Sequence, residues 1–340
     1  MFRKTGAIIF ALAFIGICTA GLLYMHLMSW AQQPAGTAAT EKLFSIAPGQ
    51  GLRKIANGLQ QEGLVGDALR FTILARLSGQ DKLIKAGEYA LAATMTPHEI
   101  LDQMVAGRVH LYRLTIPEGF NLQQISAAVA VAGLASEADF LATARDPQTA
   151  EALNIPGKTV EGYLFPDTYY FPRETNCTAI ITTMVRRFET AFTPEWHQRA
   201  EALGLSVHQV VTLASIIEKE TGVPEERPLI ASVFHNRLRK GMRLETDPTV
   251  IYGITDFDGN LTRKHLRTMT PYNTYRIKGL PPGPIASPGR AALEAALYPA
   301  DTDYLFFVAR RDGTHQFSNT LGEHQKAVRK YQLRHKRKSS

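Results

Sequence analysis

A carboxylic acid on an apolar helix face is the feature of this 340-residue sequence most able to do chemistry. The run Gln209-Val210-Val211-Thr212-Leu213-Ala214-Ser215-Ile216-Ile217-Glu218-Lys219-Glu220-Thr221 reads as a helix over 206–221. Ser206 followed by Gln209 is a capping-box start, and Gly222 with Pro224 is a stop. Val207, Val211, Ala214 and Glu218 fall on one line of that helix, so the face carrying Glu218 is otherwise apolar and points into protein. Glu220 lies about 200° further round and is expected to face water. A carboxyl on an apolar stripe is desolvated. Its pKa rises, and it can hold a proton at neutral pH and give it away as a general acid. The same placement also suits an ion pair at the edge of a core, because structural pairs perturb carboxylates too.

Four segments downstream could build a site around such an acid. Phe234-His235-Asn236-Arg237-Leu238 reads as helical, and Leu244-Glu245-Thr246-Asp247-Pro248-Thr249-Val250-Ile251-Tyr252-Gly253 follows it. Then come Pro271-Tyr272-Asn273-Thr274-Tyr275 and Gly279-Leu280-Pro281-Pro282-Gly283-Pro284-Ile285-Ala286-Ser287-Pro288-Gly289. The last is a rigid loop, since Pro fixes φ and Gly supplies turns. Acidic, amide and hydroxyl side chains with aromatic faces beside rigid turns are what a sugar-binding groove uses. Each segment alone also fits a hydrogen-bonded core element. His315-Gln316-Phe317-Ser318-Asn319-Thr320 with Glu323-His324 adds polar groups after a strand. Other chemistries lack their residues. The 10 His and 2 Cys show no zinc-ligand spacing, and there is neither a Gly-rich phosphate loop nor a Gly-x-Ser-x-Gly elbow. No metal or cofactor is expected.

The elements that must position these groups belong to a globular chain, with 45% hydrophobic and 20% charged residues. Residues 7–30 carry no charged side chain and are long enough to cross a bilayer. Arg3 and Lys4 precede them and no basic residue follows until Lys42, which places 1–6 in the cytoplasm and the remainder outside it. The run is longer than the core of a cleaved signal peptide, so a retained anchor in the inner membrane is expected, with the soluble part in the periplasm. Cys18 falls inside that run and Cys177 stands alone, so no intrachain disulfide is expected. The net charge of +7 and a pI near 9.3 favour anionic partners, but no nucleic-acid motif occurs, and 333–340 reads as a solvated basic tail. A small-residue linker is expected at 31–42.

An internal repeat follows. Ile46, Gly49, Leu52, Ile55, Gly63 and Leu64 recur at one offset as Ile116, Gly119, Leu122, Ile125, Gly133 and Leu134. Each copy reads as strand, Pro/Gly turn and amphipathic helix ending at Gly. The first copy resembles the opening of a LysM module, which implies a small glycan-binding βα subdomain over 43–110; a generic βα packing unit fits the same residues. From there to 332 the pattern predicts helices near 176–191, 195–203, 206–221, 225–240 and 290–297, a strand at 304–309 and a helix from Leu321. Mixed, non-alternating elements give an α+β class.

In series, Ala214-Ser215-Ile216-Ile217-Glu218-Lys219-Glu220, Glu161-Gly162-Tyr163-Leu164-Phe165-Pro166-Asp167-Thr168-Tyr169, Asp247-Pro248-Thr249, Tyr272-Asn273-Thr274-Tyr275, Gly279-Leu280-Pro281-Pro282-Gly283-Pro284-Ile285 and Phe317-Ser318-Asn319-Thr320 with Glu323-His324 resemble the YceG-like (MltG) family of endolytic murein transglycosylases. The similarity runs over about 44–332, so 111–332 is expected to be the catalytic domain. It implies cleavage of the β-1,4 bond between N-acetylmuramic acid and N-acetylglucosamine in nascent glycan strands, leaving 1,6-anhydro ends and terminating elongation. It also implies Glu218 as the catalytic acid and Asp247, Thr249, Tyr272, Asn273, Thr274, Gly283 and Pro284 as groove positions. Peptidoglycan is then the substrate, and penicillin-binding peptidoglycan synthases are implied partners. Two other readings stay open: a muramidase with Asp247 or Asp167 as its second carboxylate, and a non-catalytic glycan-binding anchor.

Overall fold

The computed structural model describes residues 2–333, with side chains from Ala7 to Gln332, so Arg3, Lys4 and the basic tail lie outside the described side chains. The protein divides into two compact units. The first runs to Tyr112 and takes in Tyr170–Glu174, and the second holds Arg113–Tyr169 and everything from Thr175 onward.

The first unit begins with α1 (Phe2–Ala31), whose segment Ala7–Ala31 is long and apolar enough to cross a membrane. Then come β1 (Lys42–Ile46), α2 (Leu52–Gln61), α3 (Ala68–Leu77), β2 (Gly87–Leu91) and α4 (Pro97–Ala106). β1 and β2 pair antiparallel with Phe44 opposite Tyr89, and the inward residues Phe44, Ile46, Tyr89 and Leu91 are all buried. They close on Ile55, Leu59, Phe71, Leu74, Ile100 and Met104 from the helices. Ala31, at the end of α1, is fully buried in this same core, and Met28 and Trp30 pack against it. The last turn of α1 is therefore part of this unit's packing. Across the expected linker at 31–42 most residues are exposed, and the Gly36 amide donates to the Ala93 carbonyl at 3.0 Å.

The second unit is mixed α+β. The chain enters it in β3 (Tyr112–Thr115) and continues through α5 (Leu122–Val131), α6 (Glu137–Arg145), α7 (Pro147–Ala152), β4 (Thr168–Phe171), α8 (Cys177–Ala191), α9 (Pro194–Ala202), α10 (Val207–Glu220) and α11 (Arg227–Arg239). It ends with α12 (Asp247–Tyr252), α13 (Arg263–Arg267), α14 (Arg290–Leu297), β5 (Phe306–Ala309), β6 (His315–Ser318) and α15 (Leu321–Val328). The repeat is conformational as well as sequential. Gly49 and Gly119 both turn the chain at φ +76°, and Gly63 and Gly133 end the two helices at φ +70° and +71°.

α10 is the central helix. Its capping box is formed, with Ser206 Oγ accepting from the Gln209 amide at 3.2 Å and Gln209 Oε1 accepting from the Ser206 amide at 2.8 Å. Every residue from Val210 to Ile217 is buried, and α9, α11, α12 and α14 pack around it. Over that stretch the helix has no solvent face, and Glu220, expected to face water, is half-buried instead. The hairpin of β5 and β6, with Phe307 opposite Phe317, turns the polar run at 315–318 into a strand.

Candidate active site

The last turns of α10 carry Glu218 into a pocket of backbone. Its side chain is only 7% exposed. Oε2 accepts from the Gly289 amide at 3.0 Å, and Oε1 faces Arg227 Nη2, at the start of α11, at 3.4 Å. The turn before α5 closes the site from another side. A Cβ on Gly119 would sit 3.5 Å from Glu218 Cγ, and one on Gly289 would fall 2.0 Å from Glu118 Cδ. Position 289 is therefore a glycine between two carboxyls, with its amide on Glu218 and its open side filled by Glu118. Burial is the largest influence on Glu218 and raises its pKa; the Gly289 amide and the Arg227 charge oppose that, and the Glu118 charge adds to it. The net direction is upward, as the apolar stripe predicts.

Glu118 is a carboxyl beside Glu218 that the sequence pattern did not single out. The available signal was the repeat itself, in which Glu118 stands where the first copy has Pro48.

The Gly/Pro loop at 279–289 is fastened along its length. The Pro282 carbonyl meets His208 Nε2 at 3.0 Å, and the Tyr163 hydroxyl lies 2.9 Å from His208 Nδ1. A carbonyl can only accept, so Nε2 is the donor to Pro282; in the neutral imidazole Nδ1 then accepts from the Tyr163 hydroxyl. The Ile285 amide donates to Ser215 Oγ on α10 at 3.0 Å. Ser287 exchanges backbone hydrogen bonds with the turn before α5, from the Gly119 amide at 2.9 Å and to the Phe120 carbonyl at 2.7 Å. The final amide, Gly289, goes to Glu218. Gly162, at φ +83°, packs so tightly that an added Cβ would stand 2.3 Å from Pro284 Cβ. Next to it Glu161 is buried, accepts from the Leu122 amide and the Tyr252 hydroxyl, and is pushed by burial up to about 7.

The expected groove positions separate into two groups. Asp247 is exposed at the start of α12 and accepts from the Tyr275 hydroxyl at 2.7 Å. Tyr272 is half-buried, its ring centroid 4.8 Å from that of Tyr252. The others, expected as groove positions, are buried. Thr249 and Thr274 share a hydroxyl–hydroxyl hydrogen bond of 2.8 Å and are closed off from solvent. Asn273 spends its amide on the carbonyls of His265, Leu266 and Thr268. Gly283 and Pro284 are buried in the fastened loop.

Glu220 accepts from the Thr246 hydroxyl and lines a cavity of about 480 Å³ with Asp247, Tyr275, Phe306, Phe307 and His315. Burial, with the Asp247 charge, pushes its carboxyl up to about 7. The expectation that Glu220 is a plain solvent-facing residue is thus overturned. Asp167 is held by Arg187 at 2.6 Å, and that bond lowers its pKa.

Comparison with known proteins finds similarity over most of the chain. An endolytic murein transglycosylase of Bacillus subtilis (strain 168) is 34% identical over 303 residues, covering 84% of each protein. The enzyme of that name from Streptococcus pneumoniae serotype 2 is 30% identical over 316 residues, covering 83% of this chain and 57% of its own longer one. A 2.6 Å crystal structure of a yceG-like protein from Listeria monocytogenes superposes with a TM-score of 0.59 at 36% identity, covering 84% of this chain and 99% of that one. The YceG-like family model matches residues 44–330. The chain belongs to the YceG-like family.

Proposed function

We propose that this protein is a peptidoglycan-cleaving lytic transglycosylase whose general acid and base is Glu218. The observation that supports the residue assignment is the caged Glu218 carboxyl, whose pKa burial raises while two donors stand ready for its anion. The class of reaction is that of the relatives named murein transglycosylases.

The chemistry needs one well-placed acid. Protonated Glu218 donates to the glycosidic oxygen between the muramic acid and glucosamine units. The carboxylate left behind is stabilised by the Gly289 amide and Arg227, both already in place. It then takes the proton from the O6 hydroxyl of the same muramic acid, which closes on C1 to give the 1,6-anhydro end. The nucleophile is part of the substrate, so no carboxylate is required to activate water. Ordinary glycosidases use two. Glu118 reopens that alternative, because it is a second carboxyl beside Glu218; here its role is electrostatic, its charge favouring the protonated form of Glu218.

On this reading α1 anchors the enzyme in the inner membrane with the N-terminus cytoplasmic, the catalytic unit meets nascent strands in the periplasm, and the first unit binds glycan in the LysM manner. Peptidoglycan synthases are partners by the same logic. Glu218→Gln tests the core of the proposal. The amide keeps the shape and cannot donate the catalytic proton, so cleavage should fall by at least roughly 10²-fold. Near-normal cleavage by the folded variant would refute the assignment.

A further inference from the structure

We propose that the outer face of α3 lies in the membrane leaflet from which α1 emerges, as a second lipid contact of the first unit. The proposal rests on reading α1 as membrane-spanning. Leu69, Ile73 and Leu77 repeat at i, i+4 and i+8 along α3 and are 67%, 40% and 60% exposed. The opposite face of the helix, with Phe71, Leu74 and Ala75, is in the core of the unit. An exposed row of large aliphatics on a folded domain marks a contact surface.

Its occupant follows from what stands beside it. Ala20, Leu23, Tyr24 and Leu27 of α1 line one cleft of about 640 Å³ with Ile73 and Leu77 of α3. Counting from Ala7, about 20 residues at roughly 1.5 Å each fill the ~30 Å hydrocarbon thickness, so the span ends near Leu27. The α1 side of the cleft is thus the last two turns inside the bilayer. Because Ala31 is fixed in the core of the unit, α3 cannot be lifted away from that level. Ile73 and Leu77 then stand at the boundary of acyl chains and headgroups, the depth of roughly 5–10 Å at which an interfacial helix sits. The charges agree. Arg76 is exposed in the last turn, where it can reach anionic headgroups while its stem stays apolar; Arg70 lies over the Trp30 ring at 6.0 Å and is shared with Asp67, its Nε 3.7 Å from Oδ2. The occupant is lipid, and the consequence is a unit seated on the bilayer rather than tethered above it.

The test uses the full chain in vesicles of phosphatidylethanolamine and phosphatidylglycerol. A bimane probe is placed at Ile73→Cys or Leu77→Cys in protein carrying Cys18→Ala and Cys177→Ser. Asn57→Cys, exposed on α2, is the aqueous reference, and a probe on native Cys18 is the membrane reference. Doxyl-labelled lipid should quench the α3 probes to within about twofold of Cys18, and aqueous iodide should quench them at least about fivefold less than at Asn57→Cys. Iodide quenching equal to that at Asn57→Cys, with Cys18 still quenched by lipid, would overturn the α3 contact and leave the anchor intact. Shielding from both quenchers would mean that protein covers the face, which overturns lipid as the occupant. Loss of lipid quenching at Cys18 itself would overturn the anchor and the α3 contact together.

Discussion

Glu218 is raised by burial and by the Glu118 charge while Gly289 and Arg227 pull it down, and this balance sets the pH range in which it can act as an acid. A protonated donor is lost as pH rises through its pKa. Removing a neighbouring negative charge lowers that pKa, so Glu118→Gln should move the alkaline limb of the kcat profile to lower pH, by about half a unit to one unit. Rates of the variant and the parent would converge at acid pH and separate at alkaline pH; an unmoved limb would remove Glu118 from the electrostatics of the site. Glu220 gives a second check at this scale. Burial pushes its carboxyl up to about 7, and it lines a cavity. A Gln there can still accept from Thr246, so Glu220→Gln should keep cleavage within about tenfold of the parent while Glu218→Gln does not. The reverse ranking would transfer the acid role to Glu220.

Two elements hold the site, and each can be loosened separately. The Gly/Pro loop leans on Gly162, where φ is +83° and a Cβ would strike Pro284. Gly162→Ala should therefore destabilise the protein by about 2–4 kcal/mol, read as a lower midpoint in denaturant with an unchanged slope. Glu161, which ties α5 to α12, gives a pH signature. Its pKa is about 7 folded against 4.5 unfolded, so both states are protonated below 4.5 and no penalty exists there. Between the two values the unfolded chain releases its proton first, so stability falls as pH rises, by on the order of 3 kcal/mol once pH exceeds 7. Glu161→Gln should hence gain stability relative to the parent between pH 5 and pH 8, measured as the difference in Tm; an equal difference at both pH values would contradict the buried, protonated Glu161. Much of this level was readable in the sequence. The α10 cap, the Glu218 stripe and the strand expected at 304–309 are local patterns of period and capping; the first two appear as expected and the strand forms over Phe306–Ala309. Glu118, the burial of Glu220 and the inward turn of Thr249, Asn273 and Thr274 are not local. They depend on which elements pack around α10, which no single helix pattern records.

At the scale of the molecule, α1 belongs to the first unit, since Ala31 and Trp30 take part in that unit's packing. A soluble fragment starting near Lys42 should still cleave glycan, because the second unit supplies Glu218, Glu118 and Gly289. Its first unit, stripped of those residues, should melt several degrees below that of a fragment starting near Met25. Equal melting would make the α1 junction incidental. The central claim, that one acid and the substrate's own O6 suffice, is tested most directly by the mass of the product. Long glycan strands digested with purified enzyme and sized early should yield internal fragments whose muramic acid ends are one water lighter than hydrolysed ends, and Glu218→Gln should yield none. Hydrated reducing ends would contradict the account and identify a two-carboxylate hydrolase, with Glu118 as the residue to substitute next.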